Sequence, residues 1–279
     1  MTWTRFGYIC RRALLDIEKG APVGDSLARA EAETGSKLYG QQPRSNTLPR
    51  ALLDSLANLP SRENTVEALH TYNQLSLPGQ FDEPLRFKRA IIYLCCVVFV
   101  FYSVVSVYQL VVTPRFIELF SVFDVPTPSH VLMFQKYWRF LLGAMSVLLL
   151  ISLLSVFQIR NLFHFKVRAE QSILAKLLLG PGVRRSYARV AALLRFPVAP
   201  SGNAGDDAAI TQLNMAQSSG LNVSVEMREL IRVEMHELLH RCERQLRLMT
   251  TIVALVVISS VFLFLSSAYS PIFYTGDLI

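Results

Sequence analysis

The sequence predicts an all-α, polytopic membrane protein with three transmembrane helices and two small cytoplasmic helical-bundle domains. Three observations point there. The 279-residue chain is 52% hydrophobic and only 18% charged, with a mean hydropathy of +0.34, whereas an average soluble domain carries about a quarter charged residues. The apolar excess is clustered: Ala90–Pro114, Phe140–Ile159 and Leu248–Gly276 carry no charge over 25, 20 and 29 residues. Basic residues flank these runs unevenly, which orients them.

A helix needs about 20 mainly apolar residues to cross the hydrocarbon core. Fourteen residues of Ala90–Val112 are Leu, Ile, Val or Phe. At roughly 0.3–0.6 kcal/mol each near the bilayer centre, they favour insertion by about 4–8 kcal/mol before polar offsets. Three such runs leave too little polar chain to enclose them in a soluble core. The predicted spans are 90–112, 140–159 and 248–273.

No cleavable signal peptide is recognised ahead of them, so the first span is expected to serve as its own insertion signal. Arg86, Lys88 and Arg89 precede the first span, Arg160, Lys166 and Arg168 follow the second, and Arg241, Arg244 and Arg247 precede the third. Only Arg115, Lys136 and Arg139 lie on the other side. The bias places the N-terminus, residues 1–89 and residues 160–247 in the cytoplasm, with 113–139 and the tail 274–279 outside. Cys10 and Cys242 then fall on the cytoplasmic side and Cys95 and Cys96 inside the first span, so no structural disulfide is expected. The net charge of +7 suits an anionic leaflet. Without an aromatic–basic stretch it does not argue for nucleic acid.

In the first polar segment, Ile9, Ala13, Leu14 and Ile17 recur at helical spacing within 6–19, and Gly20 stands where a C-terminal cap belongs. Further helices are predicted at 25–33, 48–57 and 61–74, the last opened by Ser61 as N-cap. Residues 40–46 and 77–84 read as loops. Past the first span, Phe116, Leu119, Phe120 and Phe123 fall at i, i+3, i+4 and i+7. This suits a helix in the outer interface, or a loop with scattered aromatics, ended by Pro126-Thr-Pro128. The second polar segment is expected to continue the second span as a helix over 162–179, break at Gly180-Pro-Gly182, and resume over 184–194. Pro197–Asp207 is the clearest linker, and a long helix follows from about Val223 into the third span.

His236-Glu237-Leu238-Leu239-His240 is a literal H-E-x-x-H. On a helix His236 and His240 share a face and could hold zinc, with Glu237 as general base. A third ligand is then required, and downstream only Glu243 and Asp277 carry a suitable group. The competing account makes Ile231, Met235, Leu238, Cys242 and Leu246 an apolar stripe, with Glu229, Arg232, His236, His240, Glu243 and Arg247 on a polar face and Glu243–Arg247 paired at i, i+4. No phosphate-binding G-x-x-x-x-G-K-[ST] occurs, and the three spans contain no Asp, Glu, Lys, Arg or His. Proton relays and ion paths need such groups, so transport is disfavoured. A receptor with a ligand-binding exported region is the remaining reading, and the exported segment is short for it.

Three stretches resemble the platform family, the inner-membrane F subunit of type II secretion systems and its type IV pilus counterparts. Leu15–Arg29 is similar to the helix–Gly–helix element of its cytoplasmic domain, centred on Gly20. Thr113–Phe123, with Pro114, Phe116 and Phe120, looks like the segment after the first span. Ser266–Phe273, with Tyr269, Pro271 and Phe273, is similar to the closing span. Family members carry two fuller cytoplasmic domains, whereas both are shorter here. The acidic metal-binding residues described in some members have no identified counterpart, so no metal or cofactor is carried over.

The resemblance implies a non-enzymatic scaffold in the bacterial inner membrane, with its C-terminus periplasmic. It would form homo-oligomers and couple a separate cytoplasmic assembly ATPase to the extraction of pilin or pseudopilin, beside other inner-membrane subunits. Arg11, Arg12, Lys19, Arg184 and Arg185 are the candidate contacts with the ATPase.

Overall fold

A computed structural model describes residues 3–33, 38–39, 47–75, 87–122, 129–163, 165, 173–199 and 208–276. Among them every extended element is a helix, and the one β-type pairing is an isolated bridge at Thr47. The helices are α1 (Trp3–Glu18), α2 (Val23–Ala32), α3 (Leu48–Ala57), α4 (Arg62–Gln74), α5 (Phe87–Val107), a π-helical turn (Tyr108–Val112), α6 (Thr113–Val122), α7 (Ser129–Leu162), α8 (Ile173–Leu178), α9 (Pro181–Arg195), α10 (Ala208–Ser218) and α11 (Val223–Gly276). The loops expected at 40–46 and 77–84, the Pro126-Thr-Pro128 break and most of the 197–207 linker lie outside the described residues.

The chain forms two compact units, Met1–Leu85 with Gln158–Glu243, and Arg86–Phe157 with Arg244–Ile279. The two polar segments, read from sequence as separate domains, are therefore grouped in one polar unit. Its core begins with α1, where Phe6, Ile9, Cys10, Ala13 and Ile17 are buried at helical spacing. This stripe packs on α2, α3 and α4, burying Leu27, Leu52, Leu56, Leu69 and Tyr72. The Tyr72 ring meets Phe6 edge-on at 5.2 Å, and its hydroxyl donates to the Leu194 carbonyl at 2.7 Å.

A helix does not run through 162–179. α7 stops at Leu162, and the described turn ends in Phe165, whose φ of +44° is unusual for a side chain of that size. The departure lets Phe165 bury its ring edge-on to Trp3 at 5.4 Å and stacked on Tyr187 at 5.8 Å. Its N–H donates to the Leu162 carbonyl, and its own carbonyl accepts from Leu48 N–H. Tertiary burial here overrides a locally helical sequence. The helix α10 lies between the expected linker at 197–207 and the long helix from Val223, in a stretch to which the sequence assigns no element.

The second unit holds the apolar helices. Three stretches are long and apolar enough to cross a membrane: Ile91–Arg115, Lys136–Leu162 and the C-terminal part of Val223–Leu263. Phe101, Val105 and Met145 form a buried cluster against which Tyr102, Leu142, Leu148 and Val257 pack. Tyr102 and Ser146 share a hydrogen bond between the first two spans, and Gln245 donates to the Ser155 hydroxyl at 3.3 Å. Helix-to-helix bonds of this kind average about 0.6 kcal/mol in a membrane, so packing supplies most of the association.

The helix of the first apolar run does not stop at Val112. It continues through the π turn into α6, with Thr113 giving both its N–H and its hydroxyl to the Tyr108 carbonyl. Pro114 next in line has no N–H to donate, and a one-residue widening is a common way for a helix to pass such a point.

Candidate functional site

The H-E-x-x-H lies on α11. His236 and His240 are exposed, while Glu237 is half-buried and turned away into an ion pair. Arg241, one turn later, donates from Nε to Glu237 Oε1 at 2.6 Å and from Nη1 to the Gly182 carbonyl at 3.0 Å. Glycine at 182 makes room, since a Cβ there would stand 3.3 Å from Arg241 Nη1. The triplet Glu237–Arg241–Gly182 thus clips α11 to the start of α9.

That contact acts directly on the Glu237 carboxyl. The hydrogen bond from Arg241 and its positive charge hold the Glu237 carboxyl below the usual carboxylate range, with His240 and His236 adding to the effect. A general base in a zinc hydrolase needs a carboxylate that is free and no weaker a base than usual. Glu237 is neither. Among the described residues, no group of three His, Cys, Asp or Glu side chains is close enough to hold a metal ion. Glu243 is exposed on the same helix, and Asp277 lies outside the described residues.

The apolar stripe falls as expected, with Ile231, Met235, Leu238 and Cys242 buried and Leu246 half-buried. Burial pushes the Cys242 thiol up to about 12, so it is an inert packing group. Along the polar face the ion pairs are Glu229–Arg232 and Glu237–Arg241. The expected Glu243–Arg247 pair is not among them.

Of the five candidate contact cations, Arg11, Lys19 and Arg185 face solvent. Arg11 on α1 and Lys19 in the turn just past its end stand four residues either side of Leu15, itself half exposed. Arg184 is half-buried. Arg12 is engaged within the fold. It donates to Glu33 Oε1 at 2.8 Å and pairs with Asp16 at 3.5 Å, while the Tyr8 hydroxyl takes the other Glu33 oxygen at 3.0 Å.

Gly20 sits at φ +97° between α1 and α2. Its N–H donates to Ile17 and that of Ala21 to Asp16, the paired bonds of a left-handed helix stop. Arg62 adds a 2.6 Å bond to the same Ile17 carbonyl. The stop recurs at Gly220, φ +70°, where Gly220 N–H donates to Gln217 and Leu221 N–H to Ala216. In each case the next helix begins three residues after the glycine, at Val23 and Val223. The second corner was missed from sequence, although Gly20-Ala-Pro-Val23 and Gly220-Leu-Asn-Val223 share a readable spacing.

No family model, curated protein or solved structure matches the chain. Among the other family-like positions, Pro114 is exposed in α6. The backbones of Phe116 and Phe120 lie in α6 and those of Tyr269, Pro271 and Phe273 in α11; their side chains lie outside what the structure describes.

Proposed function

We propose that this chain is the platform subunit of a type IV pilus or type II secretion machine, a non-enzymatic scaffold in the bacterial inner membrane. The observation that carries the proposal is the repeated helix–glycine–helix corner, at Gly20 and again at Gly220. The first lies in the stretch that resembles the platform family, whose members carry two such cytoplasmic domains, and the second lies in the other polar segment. Three helices apolar enough to span a membrane accompany them.

In this function the polar unit meets a separate cytoplasmic assembly ATPase, with Arg11, Lys19 and Arg185 as the exposed cations available for contact. The helix α11 carries polar residues up to Arg247 and the apolar run from Leu248. One uninterrupted helix is the element through which a load on its polar half reaches its apolar half. Pilin or pseudopilin helices would pack beside the spans, and several copies of the chain would form the base.

The test is deletion in the native host, combined with purification of the tagged full-length chain from cross-linked membranes. Loss of surface fibres or of secretion, with an ATPase and a prepilin recovered on the tagged chain, is expected. Normal fibres and secretion in the deletion strain would remove the proposal. Its topology is tested separately by reporters at residues 45 and 203, which must report the same side of the membrane.

A further inference from the structure

The chain's excess charge is concentrated in one segment. Residues 160–205 hold eight basic side chains (Arg160, Lys166, Arg168, Lys176, Arg184, Arg185, Arg189 and Arg195) against the single acid Glu170. That net of +7 equals the formal net charge of the whole chain, so all other residues together sum to zero.

Within this segment α8 exposes an apolar edge. Ile173, Leu174 and Leu177 are 83%, 50% and 79% exposed, whereas Ala175 and Leu178 of the same helix are buried. At i, i+1 and i+4 the three exposed side chains share one side of the helix, and the exposed Lys176 flanks them. Three large apolar side chains held in water on so short an element mark a surface that is covered in use.

Two observations select a lipid surface as the cover. The helix carrying the second span ends at Leu162, and α8 begins at Ile173. At about 3.3–3.6 Å per residue, the chain can carry α8 no more than roughly 40 Å from that end. The charge of the segment is also of one sign. From Gln171 to Gly205 there is no acidic residue, although Arg189 is paired with Glu234 of α11, and an apolar edge beside an exposed lysine suits a helix lying on an anionic bilayer. Lysine beside such an edge lays its alkyl stem on the apolar surface and sends its ammonium to the headgroups.

We propose that Ile173, Leu174 and Leu177, with Lys176, dock on the anionic face of the bilayer, tying the polar unit to lipid through a contact separate from the spans. The proposal rests on the apolar helices being spans, and the experiment separates the two. Full-length chain carrying Cys95→Ala and Cys96→Ala, with the buried Cys10 and Cys242 retained, receives one of three cysteines for a bimane label. These are Leu177→Cys, Ala188→Cys on the exposed side of α9, and Phe99→Cys, 73% exposed on the first span. Each is placed in nanodiscs of equal phosphatidylglycerol and phosphatidylcholine containing a nitroxide lipid.

Lipid quenching at least threefold greater at 177 than at 188 is expected. It should fall by half or more in pure phosphatidylcholine and with Lys176→Gln plus Arg185→Gln. Equal quenching at 177 and 188, with 99 strongly quenched, overturns the docking and leaves the spans standing. A label at 99 that lipid does not quench overturns both. A label at 177 shielded from both nitroxide lipid and aqueous iodide means that protein covers the edge, and this too overturns the proposal.

Discussion

Tyr72 and Leu194 are 122 residues apart in sequence, and the hydroxyl of one donates to the carbonyl of the other in a buried 2.7 Å hydrogen bond. The bond ties α4, in the first polar segment, to the end of α9, in the second. Replacing Tyr72 by Phe keeps the edge-on contact with Phe6 and leaves the Leu194 carbonyl without this donor. A buried acceptor so deprived costs about 1–3 kcal/mol, and Tyr72→Ala adds a cavity worth about 3–5 kcal/mol. Thermal unfolding in detergent should rank wild type above Phe above Ala. Amide exchange should rise at the end of α9 in Tyr72→Phe, and a variant that unfolds at the wild-type temperature would deny the bond its role.

The Glu33 clamp supplies a pH signature. The Arg12 hydrogen bond, then that of Tyr8, holds the Glu33 carboxyl below its ordinary 4.5. A carboxyl depressed in the folded state stabilises the fold above its unfolded pKa, and that contribution disappears as pH falls from about 4.5 through the folded value. Glu33 protonation should therefore loosen the α1–α2 corner only in acid. Tm measured from pH 7 down to pH 3 should drop more steeply for wild type than for Glu33→Gln, with the two curves converging in acid. Parallel curves would show that the clamp is not formed.

Much of this fold is legible in the sequence, for reasons that differ by element. The three helices apolar enough to span a membrane announce themselves because charge is absent over whole membrane thicknesses, and α1 and α3 because their stripes are regular. Phe165 is not legible, since its left-handed backbone is held by Trp3 and Tyr187, both remote in sequence. Nor is α10, whose buried residues include two alanines, Ala209 and Ala216, beside Ile210 and Leu213; small side chains leave a faint stripe beside a Gly-rich linker. The H-E-x-x-H shows the reverse problem, a pattern complete in sequence whose central carboxylate is held by Arg241, a residue outside the motif.

That contact makes the motif separable from catalysis. In the proposed platform role, Glu237→Gln and His240→Ala should leave fibre assembly or secretion within about twofold of wild type at equal protein level. Arg241→Ala should lower stability modestly, as expected for a half-exposed pair, by freeing the start of α9. Complete loss of function in Glu237→Gln, with protein abundance unchanged and stoichiometric zinc in the purified chain, would favour the zinc protease over the scaffold.

The cysteines report both units at once. Cys10 and Cys242 are buried, and burial raises both thiols well above their ordinary value. Cys95 and Cys96 are exposed on a helix apolar enough to span a membrane, where lipid would exclude a charged reagent. A membrane-impermeant maleimide should label none of the four in intact membranes and all four after denaturation in detergent. Labelling of Cys95 or Cys96 in intact membranes would place that helix in water.

Glycine substitutions distinguish conformation from contact at the repeated corner. A Cβ added at Gly20, Gly220 or Gly24 would meet no atom within 4 Å, so crowding cannot explain any difference among them. Gly20 and Gly220 hold φ of +97° and +70°, where an L side chain costs roughly 1–2 kcal/mol. Gly24 lies in the first turn of α2, where alanine should stabilise by about 0.4–1 kcal/mol, largely by restricting the unfolded chain. Unfolding temperatures should therefore fall for Gly20→Ala and Gly220→Ala and rise for Gly24→Ala. If the first two variants match wild type, the left-handed stops are not the hinges on which the polar unit is built, and the repeated corner no longer supports a platform.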